Sequence, residues 1–252
     1  PSVSENWLGF SIHSSVGIVI NFWIMELLHH TKNTSNGQRS IPKKYKDLFE
    51  NVLKNSSKIG NLGRPMIFKD TRLLFWLDSP WTKYWILPLL KSPPPNKPHL
   101  FEQAWDGLLE EGYLPPPLRG ELLEDAMNAL ITFKEKIRRE RLIRVITRTL
   151  AEINTNPNDK QIPFLFNHSS LGEAEYFYNE LQKYISNSKG NQIEKIIWNN
   201  WLHQFIENRI QSIPTKLEEQ EVTHMINLIE HLSSEIPDAM LLIAKFPEVK
   251  NS

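Results

Sequence analysis

The sequence predicts an all-α fold, an irregular multi-helix bundle or a stack of helical hairpins, and three observations predict it. Apolar residues recur at helical spacing in segment after segment, and no alternating strand pattern competes. Proline, glycine and Ser/Asn-rich stretches cut the chain at helix-length intervals. No fixed-period repeat accompanies them, so a regular solenoid is not indicated. With 252 residues, 40% of them hydrophobic, and eight Trp, the chain can bury a sizeable core as one large domain or two small ones.

Ser14 to His30 reads as the first major helix. Val16, Val19, Ile20, Trp23 and Leu27 line one side, but apolar residues lie elsewhere too, which suggests packing on several sides. The β-branched run Gly17 to Ile20 leaves a short strand as an alternative. Val16 to Leu28 is the longest apolar run, but Asn21 and Glu26 interrupt it and it is too short for a membrane span of ~20 residues. Thr31 to Ser40 is polar and turn-rich, hence a loop. Pro42 suits the start of a helix to about Ser56, with Tyr45, Leu48, Phe49, Val52 and Leu53 inward. Gly60 and Gly63 are expected to break the pattern before a helix from about Met66 to Leu77. Ser79-Pro80 opens Trp81 to Leu90, and Pro88 should kink or end it.

Ser92 to Pro98 (SPPPNKP) reads as an extended linker. It sets the expected division into an N-terminal helical subdomain, 1–98, and a C-terminal one, 99–252, which together form one continuous domain. Phe101 to Leu130 then reads as helix, corner and second helix. Leu100, Trp105, Leu108 and Leu109 form an apolar stripe, and Gly112 suits a left-handed terminal residue. Pro115 to Pro117 fix an extended elbow. Leu118 to Ile153 could run as one helix of about ten turns or break near Thr132 or Lys136. Beyond the turn at Asn154 to Asp159, helices are expected at Ile162 to Phe166, Glu173 to Ser186 capped by Ser170, and Ile193 to Gln211. Two more follow, at about Glu218 to Ser233 with Thr215 as a possible cap, and from Pro237 to Phe246 before a frayed tail.

Lys plus Arg equals Asp plus Glu at 29 each, which argues against a general nucleic-acid or acidic-membrane binder. The absence of cysteine excludes disulfides and thiolate metal sites and fits a reducing, cytoplasmic compartment. The chain begins with Pro and carries no signal-peptide pattern, so it reads as a fragment of a longer cytosolic protein.

No catalytic or cofactor motif stands out. No two of the eight histidines are spaced i, i+4 for a helical zinc pair, and His224 and His231 lie about two turns apart. Nucleophile elbows and glycine-rich phosphate loops are absent. Adjacent acid pairs such as Glu110-Glu111 and Glu124-Asp125 diverge by about 100° on a helix and read as solvated faces. No catalytic, cofactor or metal residue is therefore assigned. The sharpest charged feature is Arg138, Arg141, Arg144 and Arg148, spaced along one side of a helix. It suits either a grip on phosphates, an acidic partner or a neighbouring subunit, or an exposed face tempered by Glu135, Glu140 and Glu152. Trp198, Trp201 and Phe205 read as core, and an Arg in Glu207-Asn208-Arg209 held by a carboxylate would lock helix ends together.

Three segments, INFWIMEL (20–27), FEQAWDGLL (101–109) and WNNWLHQFIENRIQSIPTKLEEQEV (198–222), occur in an order and at a spacing that resemble a known family. It is the helical region found C-terminal to sirtuin-like domains in bacterial antiphage defence proteins. The similarity runs from Asn6 to about Pro247, with Trp23, Trp105, Asp106, Gly107, Trp201, Asn208, Arg209 and Pro214 as the matched, structural residues. The family shows an Asn-His-Pro run before a Gly near its start. Here His13-Ser14-Ser15 precede Gly17, and no role of that histidine carries over. The resemblance implies a non-catalytic sensor or regulatory module, or an oligomerisation scaffold, of a protein whose sirtuin-like domain hydrolyses NAD upon infection. Its expected partners are that domain, a phage protein as trigger, and copies of itself.

Overall fold

The structure, a computed structural model, describes residues 6–33, 40–153, 155–188, 193–232 and 237–246. Every regular element among them is helical, so the fold is all-α. Most of the expected Thr31 to Ser40 loop, the Gly190 break and the C-terminal tail lie outside the described residues. The chain divides into two units, 1–129 and 130–252.

The first unit contains α1 (Trp7–Ile12), α2 (Ser15–Asn33), α3 (Lys43–Lys54), α4 (Lys58–Lys69), α5 (Thr71–Leu77), α6 (Ser79–Trp85), α7 (Pro88–Lys91), α8 (Pro98–Leu108) and the start of α9 (Arg119–Thr132). The stretch 92–98 thus falls inside this unit, because α8 packs back onto α4. Helix α4 is the hub, touching α1, α2, α3 and α8. Gly60 and Gly63 were expected to break a helix, yet both lie inside α4. A Cβ at Gly63 would sit 2.4 Å from the Val52 side chain. These glycines thin the hub so that neighbours approach, a packing need that overrides the ~1 kcal/mol cost of helical Gly. The break instead falls at Asp70, between α4 and α5.

Arg64, in the middle of the hub, is buried and has no carboxylate partner among the described residues. Its guanidinium donates to the carbonyls of Leu53 at 3.2 Å and Asn55 at 2.6 Å, to Gln103 Oε1 at 2.7 Å and to Asn61 Oδ1 at 2.6 Å. The orphan carbonyls at the C-terminus of α3 supply the negative potential. Burial lowers the Arg64 pKa to about 10, which leaves it charged at neutral pH.

Several helix ends follow local chemistry. Asp78, rather than Ser79, caps α6, its Oδ1 accepting from Trp81 N at 3.1 Å. α6 stops at Trp85 and α7 starts at Pro88. Gly112 ends the turn after α8 with φ +70°, a conformation that only Gly adopts at little cost. Pro115 is extended, but Pro116 and Pro117 begin a 3-10 turn, Pro116–Leu118, so the elbow is tighter than three extended prolines would make it.

The second unit takes the end of α9, then α10 (Lys136–Glu152), α11 (Gln161–His168), α12 (Leu171–Asn187), α13 (Ile193–Ile197), α14 (His203–Ile210), α15 (Glu219–Glu230) and α16 (Pro237–Ile243). The α9–α10 break at 133–135 is the one that the sequence allowed. Helix α12 lies between α10 and α15, and a Ser170–Glu173 capping box starts it. Glu218, not Thr215, occupies the N-cap of α15. Phe166, Phe177, Tyr178, Trp201 and Phe205 stack into one aromatic core, Phe177 and Phe205 with ring centroids 5.3 Å apart. Between α13 and α14 the helix widens to a π-turn, Trp198–Leu202. Asn158 Nδ2 donates to the Trp201 carbonyl at 2.9 Å, which absorbs an acceptor of the widened turn.

No helix among the described residues is long and apolar enough to cross a membrane.

Candidate functional site

The four arginines of the predicted stripe lie on α10, but the structure gives them different tasks. Arg138 is buried, 3.3 Å from Glu135 and over the Phe133 ring. Arg144 pairs with Glu140 at 2.6 Å and covers Tyr176 of α12 at 5.4 Å. Arg148 reaches Glu152 at 3.3 Å. Glu180 of α12 also feels Arg144 and Arg148, although burial outweighs them and raises its pKa. Half-buried Arg141 makes no ion pair or hydrogen bond among the described residues. Arg138, Arg144 and Arg148 thus each meet a carboxylate of α10 or its N-cap, and Arg144 and Arg148 also lie beside α12, whereas Arg141 has no such partner among the described residues.

Helical spacing missed the neighbouring Arg139. It takes Glu173 with two bonds, at 2.5 and 3.0 Å, and donates to the carbonyls of Leu130 and of His168, the latter at 2.6 Å. Burial pushes the Glu173 carboxyl up, but Arg139 and Ser170 override it and hold the pKa below the usual range. The Ser170-x-x-Glu173 capping box was the sequence signal that a carboxylate would stand there.

The residues that carry the resemblance are core or joints. Trp105 is fully buried and donates through Nε1 to the Leu90 carbonyl at 3.2 Å. Asp106 accepts from Trp7 N at 2.9 Å, which pins the start of α1 to α8. A Cβ on Gly107 would lie 2.3 Å from the Pro65 carbonyl oxygen, so α8 meets the α4 backbone there. Trp23 and Asn208 are half-buried. Asn208 accepts from Ile213 N at 2.9 Å, next to the cis Ile213–Pro214 peptide. Trp201 is 1% exposed. Arg209 is held by Glu221 from α15, rather than by the adjacent Glu207.

An open groove remains in the first unit, and Asp106 sets one of its walls by fixing α1. The groove encloses about 1300 Å³ between α1, the α1–α2 turn and the start of α4. Trp7, Phe10, Val16, Ile59 and Leu62 make it apolar, and Asn6, His13, Ser14, Lys58 and Asn61 supply polar edges. The turn holds its shape through Ser14, whose Oγ donates to the Ser11 carbonyl at 2.8 Å and accepts from Gly17 N at 2.9 Å. Phe10 is 53% exposed. On α2, Ile20, Ile24 and Leu27 are buried, whereas Ile18, Phe22 and Met25 stand exposed at i, i+4, i+7. The all-round apolarity of α2 thus covers one packed face and one bare face.

Among the described residues, no three His, Asp or Glu side chains are grouped to hold a metal ion. His224 stacks on Tyr178, and His231 engages Gln182 and the Asn227 carbonyl. No family profile, curated protein or solved structure matches the chain.

Proposed function

We propose that this chain is the non-catalytic sensor or regulatory module of a sirtuin-like, NAD-depleting antiphage defence protein, acting in the cytoplasm. The parent enzyme rests on the resemblance of the three segments described above. The observation that carries the mode of action is the open apolar groove between α1, α2 and α4. Exposed apolar surface of this kind on a folded chain marks an interaction site. The bare stripe Ile18, Phe22, Met25 extends about 10 Å along α2, from seven residues at 1.5 Å each, which suits a macromolecule better than a small ligand. A groove between helices with polar edges fits the apolar face of an amphipathic helix. The occupant is accordingly a helix of a partner protein, with anchors at i, i+4 and i+7.

The test places Phe10→Glu and Ile59→Glu together in the sirtuin-bearing parent and follows NAD after infection. Both side chains are more than half exposed, so the fold tolerates the charges. The reading expects the infection-dependent loss of NAD to disappear, or to become independent of infection. An unchanged response would contradict it. The scaffold reading draws on the same face, with a second copy as occupant. A fall from oligomer to monomer in light scattering, with the NAD response kept, would favour that alternative.

A further inference from the structure

The Pro-rich corner has a use that the groove does not absorb. A second cavity, of about 440 Å³, opens beside it and is walled by Asp70, Leu73, Trp76, Glu111, Pro116 and Pro117. Pro116 and Pro117 stand exposed in the 3-10 turn and give it a stiff edge. The Trp76 indole is 50% exposed. Asp70 sits at the N-cap of α5, yet its side chain accepts no hydrogen bond from the helix start. Neither Asp70 nor Glu111 makes a side-chain hydrogen bond or ion pair among the described residues. The one arginine in the cavity wall, Arg72, donates to the Tyr113 hydroxyl at 2.8 Å. Burial and the nearby Glu111 raise the Asp70 pKa to about 6, against the opposing pull of Lys69.

Two carboxylates that make no hydrogen bond or ion pair among the described residues, a half-exposed indole and a rigid wall are complementary to a flat cation on an apolar stem. We propose that this cavity receives an arginine side chain presented by a protein partner. The guanidinium pairs with Asp70 and Glu111 while its plane stacks on Trp76, and the stem lies against Leu73 and the prolines. Arginine suits it better than lysine, because its planar fork binds carboxylate pairs and stacks on aromatic faces.

The probe is the peptide Ac-Gly-Arg-Gly-NH2, titrated into the isotopically labelled 252-residue chain at ~pH 7.5. The readout is the Trp76 indole signal, assigned with Trp76→Phe. The expected result is a saturable shift, with the midpoint weakened about tenfold in Asp70→Asn and in Glu111→Gln. Lowering the pH to ~5 should weaken binding as well, since Asp70 then takes up a proton. Both substitutions replace side chains that make no hydrogen bond or ion pair among the described residues, and an unchanged far-UV spectrum verifies the fold. The proposal is overturned if Asp70→Asn/Glu111→Gln binds the peptide as tightly as the natural chain. Equal shifts with the corresponding lysine or glycine peptide would overturn it too.

Discussion

Arg209 and Glu221, twelve residues apart, meet as a two-bond ion pair at 2.7 Å in the core of the second unit. The guanidinium has no exposed surface. It also donates to the Thr215 carbonyl at 2.7 Å, while the Tyr178 hydroxyl donates to Glu221 at 2.6 Å. Burial and the Glu221 charge push the Tyr178 pKa well above its ordinary value, so Tyr178 remains a donor. The network joins α12, α14 and α15, and the Phe166 ring lies 5.0 Å from the guanidinium.

Removing one partner strands a buried charge. Arg209→Met or Glu221→Gln alone should therefore destabilise by ~3–5 kcal/mol, whereas Arg209→Met with Glu221→Met should recover most of that loss. Urea unfolding of the three variants measures it. A double variant no better than the worse single one would show that the pair is not the main partner of each charge.

Trp201 fills the centre of the aromatic core at the π-turn, 6.2 Å from Phe205 between ring centroids. Trp201→Ala should cost ~3–5 kcal/mol as a large-to-small core change. The thermal midpoint checks this, and an unchanged value would place the indole outside the core.

Gly107→Ala puts a methyl 2.3 Å from the Pro65 carbonyl oxygen and 2.7 Å from Phe68 Cβ. Backbone cannot yield as a side-chain tip can, so α8 must lift from α4. A loss of ~1–3 kcal/mol or more is expected in chemical denaturation. Gly120→Ala, where nothing lies within 4 Å, is the control and should be neutral or slightly stabilising.

Asp70 gives a pH signature. A carboxyl whose folded pKa is raised to about 6 binds its proton more tightly folded than unfolded. Stability is therefore greatest below the unfolded pKa near 4 and falls as pH rises to about 6. Asp70→Asn should remove this dependence and raise stability at neutral pH by ~1 kcal/mol, a figure reduced for the solvent that reaches this half-buried group. Thermal midpoints at about pH 4 and 7 test the sign, and the variant should gain only at the higher pH.

How far the sequence could be read follows from where each signal resides. The capped start at Ser170, the interruption at Pro88, the Gly112 terminus and the break before Lys136 are local backbone chemistry, and they were legible, whereas the helix starts at Pro88 and Pro98 were not. Gly60 and Gly63 were misread because a glycine that breaks a helix and one that lets Val52 approach are identical in one dimension. The surroundings of the arginine stripe were legible only in part, for a related reason. Glu140 and Glu152 were visible on the same helix, but Tyr176 and Glu180 arrive only when α12 packs on α10. Arg139 faces Glu173 across that contact and has no mark in helical spacing. The groove could not be seen either. On α2 the all-round apolarity suggested packing on several sides, yet Ile18, Phe22 and Met25 stand exposed, since hydropathy reports that a face is apolar and not what covers it.

Under the proposed function, this helical region governs an NAD-consuming partner domain. The most direct test is cellular NAD during infection, comparing the sirtuin-bearing parent with one from which residues 1–252 are deleted. The account predicts either NAD loss without infection, if the region restrains the enzyme, or no loss upon infection by a shortened protein that still folds, if the region senses. The same infection-dependent NAD loss with and without the region would contradict it.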